Sequence, residues 1–321
     1  MDDRNSFLQP KVSQYGSHMV MTNVSKPTKK KYWNIDTRFH DDYDNYSRMV
    51  GGQPIPWYTF TLPQPINDVK SITANNAEIP MSFYTISAAL GNNVMQVGSS
   101  LLTIPDGNYT TTSLKTTFNS AISALSITGF TYDISYNKNP ISSFKNTSGS
   151  AITINFAVKA SNTNGCTNIT SAGATADVDK YNFKSKLGWL LGYRNVSYTI
   201  PATTGVLYSE SVIDLNSPRY IYLVVDEFTS SAPNSFISPL PSSILNKNIL
   251  AKISMDYVHY PTSTGVILPA NEYNGFLKSD KRTYSGKVNL QKLKIQLVTE
   301  YGDPIHLNGM DFSFCLEIEY E

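Results

Sequence analysis

The sequence predicts an all-β fold, an antiparallel sandwich of two layers, and three observations carry that prediction. Tyr (21) and Phe (14) are abundant beside Thr, Ser, Asn and Ile, residue types that suit pleated, half-buried surfaces joined by turns. Apolar residues recur at a period of two in one segment after another, each bounded by Pro, Gly or Asn. Only one long stretch has a helical period, whereas a parallel α/β sheet needs a crossover helix for each strand.

Residues 1 to about 31 have almost no periodic pattern and end in "SKPTKKK", which reads as a flexible arm with a basic tip. "YWNIDTRFHDDYDNY" follows with neither period and reads as an extended segment anchored by its aromatics. Its acids, Asp36, Asp41, Asp42 and Asp44, match neither a calcium-loop spacing nor a ligand set that His40 would complete. "GGQPIP" at 51–56 breaks any element, so residues 1–50 are expected as an N-terminal extended arm and 51–321 as the folded domain.

Strands are then expected at 57–62 ("WYTFTL"), 66–80, 81–86 and 101–105. In "DGNYTTTSLKTTFNSAISAL" the period changes: Leu114, Phe118, Ile122 and Leu125 recur every three to four residues, as in an amphipathic helix. Strands resume at 130–136 and 151–158. The polar runs at 137–150 and 159–180 read as loops, so an insertion is expected at about 137–200. "KSKLGWLLGYR", cut by Gly188 and Gly192, reads as a short helical turn plugging the core with Leu187, Trp189, Leu190 and Leu191.

The last third is strand-rich, at 219–228, 249–258, 288–298 and finally "DFSFCLEIEYE" at 311–321. In that terminal stretch Phe312, Phe314, Leu316, Ile318 and Tyr320 share one face, and Glu317, Glu319 and Glu321 the other. A jelly roll is the expected form of the sandwich, with "WYTFTL" beside the terminal strand. The last two strands would lie in opposite layers, so that Leu293, Ile295 and Leu297 meet Phe312, Phe314, Leu316 and Ile318 across the core. A plain hairpin would instead pair Lys292 and Lys294 with Glu317 and Glu319.

Composition limits the function classes. At 321 residues and 40% hydrophobic the chain can bury a full core, and with a net charge of +1 no global field favours nucleic acid. Cys166 and Cys315 are the only thiols, which excludes a disulfide framework and a four-cysteine zinc site and suits a reducing compartment. No apolar run has membrane-span length, and the start has no signal-peptide core, so a soluble, non-secreted protein is expected. His18, His40, His259 and His306 are scattered, and no phosphate loop or nucleophile elbow occurs. Paired glycosidase carboxylates could be drawn from Asp226, Glu227, Asp256, Glu300, Glu317 and Glu319, but the last two lie on a strand's polar face, where solvation or cross-strand pairing is the usual reason for a charge. No enzyme, cofactor or metal is expected. A carbohydrate-binding sandwich, with Tyr and Trp stacking on sugars, stays open.

"LNSPRYIYLVVDEF", "YSGKVNLQKLKIQLVTEYGDPIHLNGMDFSFCLEIEYE", "YTFTLPQPINDVKSITANNAEIPMSFYTIS" and "LTIPDGNYT" resemble the small jelly-roll capsid proteins of nucleocytoplasmic large DNA viruses and their relatives. The closing pattern from Tyr301 to Glu319 is the most specific part, and the resemblance covers about 57–105 and 184–321. Major capsid proteins of that group resemble two fused jelly rolls, and a chain of 321 residues has room for one. The resemblance therefore implies a minor capsid protein, above all the penton protein, a homopentamer at the icosahedral vertices of a virion assembled in host cytoplasm. Implied partners are further copies of itself, major capsid protein trimers and other minor capsid proteins. A cement protein beneath the trimers is the alternative. Lys29, Lys30, Lys31, Tyr32 and Trp33 are the candidate partner-contact arm, with the inner viral membrane as a further possible partner; no specific nucleic acid is expected.

Overall fold

Two hydrophobic cores organise the chain, because its apolar segments collapse on two centres with no residue in common. The structure is a computed structural model and describes residues 27–41, 49–50, 53–54, 57–135, 139–157, 159–161, 165–167, 183–203, 205–228, 248–262, 265–302 and 304–321. Residues 1–26 of the expected arm, His18, Asp42, Asp44 and the loop at 168–180 lie outside the described residues.

The body begins with β1 (Lys29–Asp36) and β2 (Tyr58–Pro80). A second lobe follows: β3 (Val94–Val97), β4 (Ser100–Thr103), α1 (Thr111–Ala124), β5 (Phe130–Ser135), β6 (Ile141–Asn146), β7 (Ile152–Asn155), α2 (Leu187–Leu190), β8 (Ser197–Ile200) and β9 (Gly205–Tyr208). The chain then returns to the body with β10 (Tyr220–Asp226), β11 (Ile249–Ser254), β12 (Ile267–Asn271), β13 (Leu277–Ser279), β14 (Arg282–Thr299) and β15 (Ser313–Tyr320).

β2 is one strand where the sequence suggested two, and it serves both layers. Its first half, from Tyr58, pairs with β14, whose start still reaches Ser71 and Ile72; its second half, Val69 to Glu78, pairs with β15. Between them Asp68 adopts φ 56°, a left-handed conformation that Asp tolerates, and the register shifts there turn the corner. One layer runs β1, β15, second half of β2, β12; the other runs first half of β2, β14, β10, β11, β13. Counting the halves of β2 separately and leaving out the short edge strand β13, first pairs with last, second with seventh, third with sixth and fourth with fifth, which is the jelly-roll order.

Two expectations need correction. "WYTFTL" lies beside β14, with Phe60 opposite Leu293, and not beside the terminal strand. The neighbours of β15 are the second half of β2 and β1, so residues expected as part of an arm form the first strand of the body. The physical reason is that Trp33 and Ile35, opposite Leu316 and Phe314, turn onto the core, and the Thr37 N–H donates to the Phe312 carbonyl at 3.0 Å. β14 and β15 lie in opposite layers and do not pair; Leu293, Ile295, Leu297, Phe312, Phe314, Leu316 and Ile318 all belong to one core.

The insertion is larger than the expected 137–200. Its core runs from Ile86 to Ile213 and takes in β4 and α1, which the sequence suggested as parts of the body. α1 starts at a capping box between Thr110 and Ser113 and buries Leu114, Phe118 and Ile122. The Asn119 side chain fastens it to β5, donating to the Tyr132 carbonyl at 2.8 Å and accepting from the Tyr132 N–H at 3.0 Å. α2 packs Leu187 and Leu190 into this second core, where Gly188 leaves room for the Phe156 ring. The Tyr301 hydroxyl donates to the Lys184 carbonyl at 3.0 Å, linking insertion to body.

Candidate assembly surface

A strand at a sheet edge displays one row of unpaired backbone groups, and β1 stands at such an edge. Lys29, Lys30, Lys31 and Tyr32 are exposed, while Trp33 is half-buried against the core. The five candidate residues therefore belong to a fixed strand with separate tasks. The Lys30 ammonium pairs with Glu317 and lies 3.9 Å from Glu319. The Lys31 ammonium sits 4.9 Å from the centre of the Tyr320 ring. Tyr32, opposite Glu317, points its ring outward at 62% exposure.

The polar face of β15 is a ladder of ion pairs. Lys281 reaches Glu319 at 2.5 Å, Lys70 reaches Glu321 at 2.9 Å, and Lys287 bridges Asp68 at 3.1 Å and Glu321 at 3.6 Å. The hydrogen bond from Lys30 holds the Glu317 carboxyl below its ordinary range, and that from Lys281 does the same for Glu319. Lys292 and Lys294, the partners a hairpin would have supplied, face the other way. Exposed pairs of this kind contribute about 0–1 kcal/mol each, so β15 is held chiefly by its buried row Phe312, Phe314, Leu316 and Ile318.

The remaining edges of the sandwich are also guarded. β12 carries Pro269 in its middle, which removes a donor from the edge opposite β1. The Asp41 side chain accepts from the Thr61 N–H at 2.9 Å, and the Asp41 N–H donates to the Thr59 carbonyl at 2.9 Å, covering the outer side of β2. β13 is three residues long. Growing a sheet from copy to copy is discouraged at each edge.

The outer face of the β14 layer differs from an ordinary solvated face. Alternation puts Leu293, Ile295 and Leu297 inward and Lys292, Lys294, Gln296 and Val298 outward; on β10 it puts Tyr220, Tyr222 and Val224 outward. Val224, Ile249 and Val298 form a small third cluster there, packed against Trp57 and Tyr222. The Lys294 ammonium lies 4.7 Å from the Trp57 ring centre and that of Lys252 lies 4.2 Å from Tyr220. Lys278 stands directly opposite Lys252.

A buried charged group was missed in the sequence. Arg282, 1% exposed, donates through Nη1 to both Glu227 oxygens at 2.9 and 2.7 Å and to the Val225 carbonyl at 2.9 Å. The Tyr284 hydroxyl donates to the same carboxylate at 2.6 Å, and burial keeps that phenol neutral by raising its pKa. The available signal was the alternation itself: Arg282 and Tyr284 occupy core-facing positions of β14, where an arginine needs a buried partner.

Among the described residues no group of three His, Cys, Asp or Glu side chains converges as a metal site, and no helix is long and apolar enough to cross a membrane. The His259 ring lies 2.7 Å from Asp256 on an exposed turn. Burial raises the pKa of the half-buried Cys315 thiol.

No family model and no curated protein matches the chain. Solved structures that align over most of it include a virophage chain and a penton protein. One is a chain of the Sputnik virophage determined by cryo-EM, at 12% identity, covering 92% of this chain and 98% of that one, with a TM-score of 0.40. The other is the mavirus penton protein, at 10% identity, 92% and 100% coverage and a TM-score of 0.41. The jelly-roll assignment rests on the strand order and registers described above.

Proposed function

We propose that this chain is a structural capsid protein with no catalytic role, a penton subunit of which five copies close each fivefold vertex of an icosahedral virion. The observation that carries this reading is the single jelly roll with a self-contained lobe inserted between its third and fourth strand positions. A ring of five is built by one surface meeting a different surface of the next copy, and a sandwich whose sheet edges are all guarded leaves its faces and loops for that contact. The partners are further copies of itself, major capsid protein trimers and other minor capsid proteins, in a particle assembled in host cytoplasm. Lys30 is engaged by Glu317, which leaves Lys29 as the best placed of the three lysines to meet lipid phosphates of an inner membrane.

The solution mass of the purified full chain, with class averages from electron microscopy, tests the reading. Rings of five support it. A stable monomer that binds oligosaccharide would replace it with a lectin, and particle density confined to the space beneath the trimer faces would replace it with a cement protein.

A further inference from the structure

A cleft of about 130 Å³ opens at the seam between insertion and body. By the same measure one water needs about 10–15 Å³, so the cleft takes a group on the order of ten non-hydrogen atoms. Tyr109, just ahead of α1, walls it on the insertion side, and Tyr257, between β11 and β12, on the body side. Both rings are fixed: the Tyr109 hydroxyl donates to the Pro105 carbonyl and the Tyr257 hydroxyl to the Pro218 carbonyl, each at 2.6 Å. Asn108 is spent on the backbone, donating to the Phe83 carbonyl at 3.1 Å and accepting from the Thr85 N–H at 2.9 Å. Three other lining groups are uncommitted. Thr85 is only 4% exposed, and its N–H and carbonyl are both engaged, yet its hydroxyl has no partner among the described residues. Neither the Thr262 hydroxyl nor the exposed Asn216 side-chain amide has one.

We propose that this cleft binds a single neutral sugar ring, a pyranose at the end of a glycan, set against the tyrosine walls and hydrogen-bonded by Thr85, Asn216 and Thr262. Charge excludes the alternatives. No lining side chain is charged, and the groups felt at the walls are carboxylates: burial and Asp106 raise the Tyr109 pKa, and burial, Glu300 and Asp214 raise that of Tyr257. Arg219 pairs with Asp214 at 2.9 Å, which leaves Asp106 and Glu300 to disfavour an anion. What remains is a small neutral ligand with two requirements. It needs groups that both donate and accept, to match two hydroxyls and an amide, and an apolar face to lie on a phenol ring. A pyranose carries both. The inference goes beyond the penton reading and does not depend on it, since a ring of five that binds sugar satisfies both.

Saturation-transfer NMR on the full chain tests this with methyl glycosides of glucose, galactose, mannose, fucose and N-acetylglucosamine at about 10 mM, a range suited to one small ring. It is repeated with inorganic phosphate as competitor, with Thr85→Val/Asn216→Ala, and with Tyr208→Ser, which removes an exposed tyrosine outside the cleft. The expected result is transfer to at least one glycoside, affinity about tenfold weaker in the double variant, and no change in Tyr208→Ser. Melting of the double variant should be unchanged, because neither deleted group bonds to the protein. Should Thr85→Val lower it, Asn216→Ala/Thr262→Val reads the same loss at two less buried positions. A wild type that passes saturation to none of the glycosides, or variants that keep full affinity, would overturn the proposal. Displacement of the sugar by phosphate would reassign the cleft to an anion at the start of α1 and refute it. Light scattering on the same samples separates the two readings: a monomer that binds sugar upholds this inference against the penton reading, and rings that bind none do the reverse.

Discussion

Arg282→Met is the most informative single change in the body. The wild-type guanidinium makes three bonds of 2.7 to 2.9 Å to Glu227 and Val225 in a site where both charged side chains are at most 2% exposed. Methionine removes the charge at similar length, leaving the Glu227 carboxylate buried with the Tyr284 hydroxyl donating to it at 2.6 Å. Breaking a buried pair from one side costs about 3–5 kcal/mol, because the remaining charge is uncompensated. Glu227→Gln should cost a comparable amount from the other side. The double change Arg282→Met/Glu227→Leu removes both charges and should return to within about 1–2 kcal/mol of wild type, or exceed it. Arg282 Nη2 has no hydrogen-bond partner, which adds to the cost of keeping the pair. Urea unfolding followed by tryptophan fluorescence reads this out, in a Trp189→Phe background so that Trp33 and Trp57 report on the body alone. Single variants that lose less than about 1 kcal/mol, or a double variant that loses the sum of the singles, would refute the reasoning.

Further predictions follow from the same contacts. Leu316→Ala, at 0% exposure in the middle of β15, should lose about 2–5 kcal/mol, whereas Glu319→Ala on the opposite face should lose under about 1 kcal/mol; equal losses in urea titrations would contradict the division of labour along that strand. The folded-state pKa values of Glu317 and Glu319 are depressed, so their contribution is complete above the ordinary value of 4.5 and is lost as pH falls through the lowered folded values. Hydrogen exchange in β1, corrected for intrinsic rate, should therefore accelerate below about pH 4.5 before β5 and β6 respond, and unchanged protection of 29–36 down to pH 3 would count against the ladder. Gly192→Ala places a methyl 2.1 Å from the Ser211 carbonyl oxygen at φ 94° and should destabilise the insertion by about 3 kcal/mol or more, seen as an earlier Trp189 transition with the body unmoved.

The sequence was most legible where one face of an element is buried and the other is wet. β15 alternates without a break, and α1 shows Leu114, Phe118 and Ile122 at helical spacing, so both could be placed closely. β1 escaped because three consecutive lysines and an exposed tyrosine erase alternation, leaving Trp33 and Ile35 as its sole inward signal. The corner at Asp68 was hidden for another reason: Pro63 and Pro65 suggested a break, yet β2 continues past both and turns three residues later. The extent of the insertion depends on which core a segment joins, a long-range property that period does not encode; Leu102 and Ile104 would suit either core and pack with Phe118. Pairing of β15 with β1 depends on chain topology in the same way.

The division into two cores also sets an order of events. Contacts within the insertion join residues of one continuous stretch, whereas the body must bring Lys29 to Tyr320 and Ile72 to Ile318. Closing long loops is slow, so the insertion should be folded while β1 and β2 still wait for β15. During that interval the two waiting strands are exposed templates for aggregation, and Lys29 to Lys31, Pro63 and Pro65 stand on them as gatekeepers. The lysines that hid β1 from view as a strand thus protect the unfinished molecule as well as the finished edge.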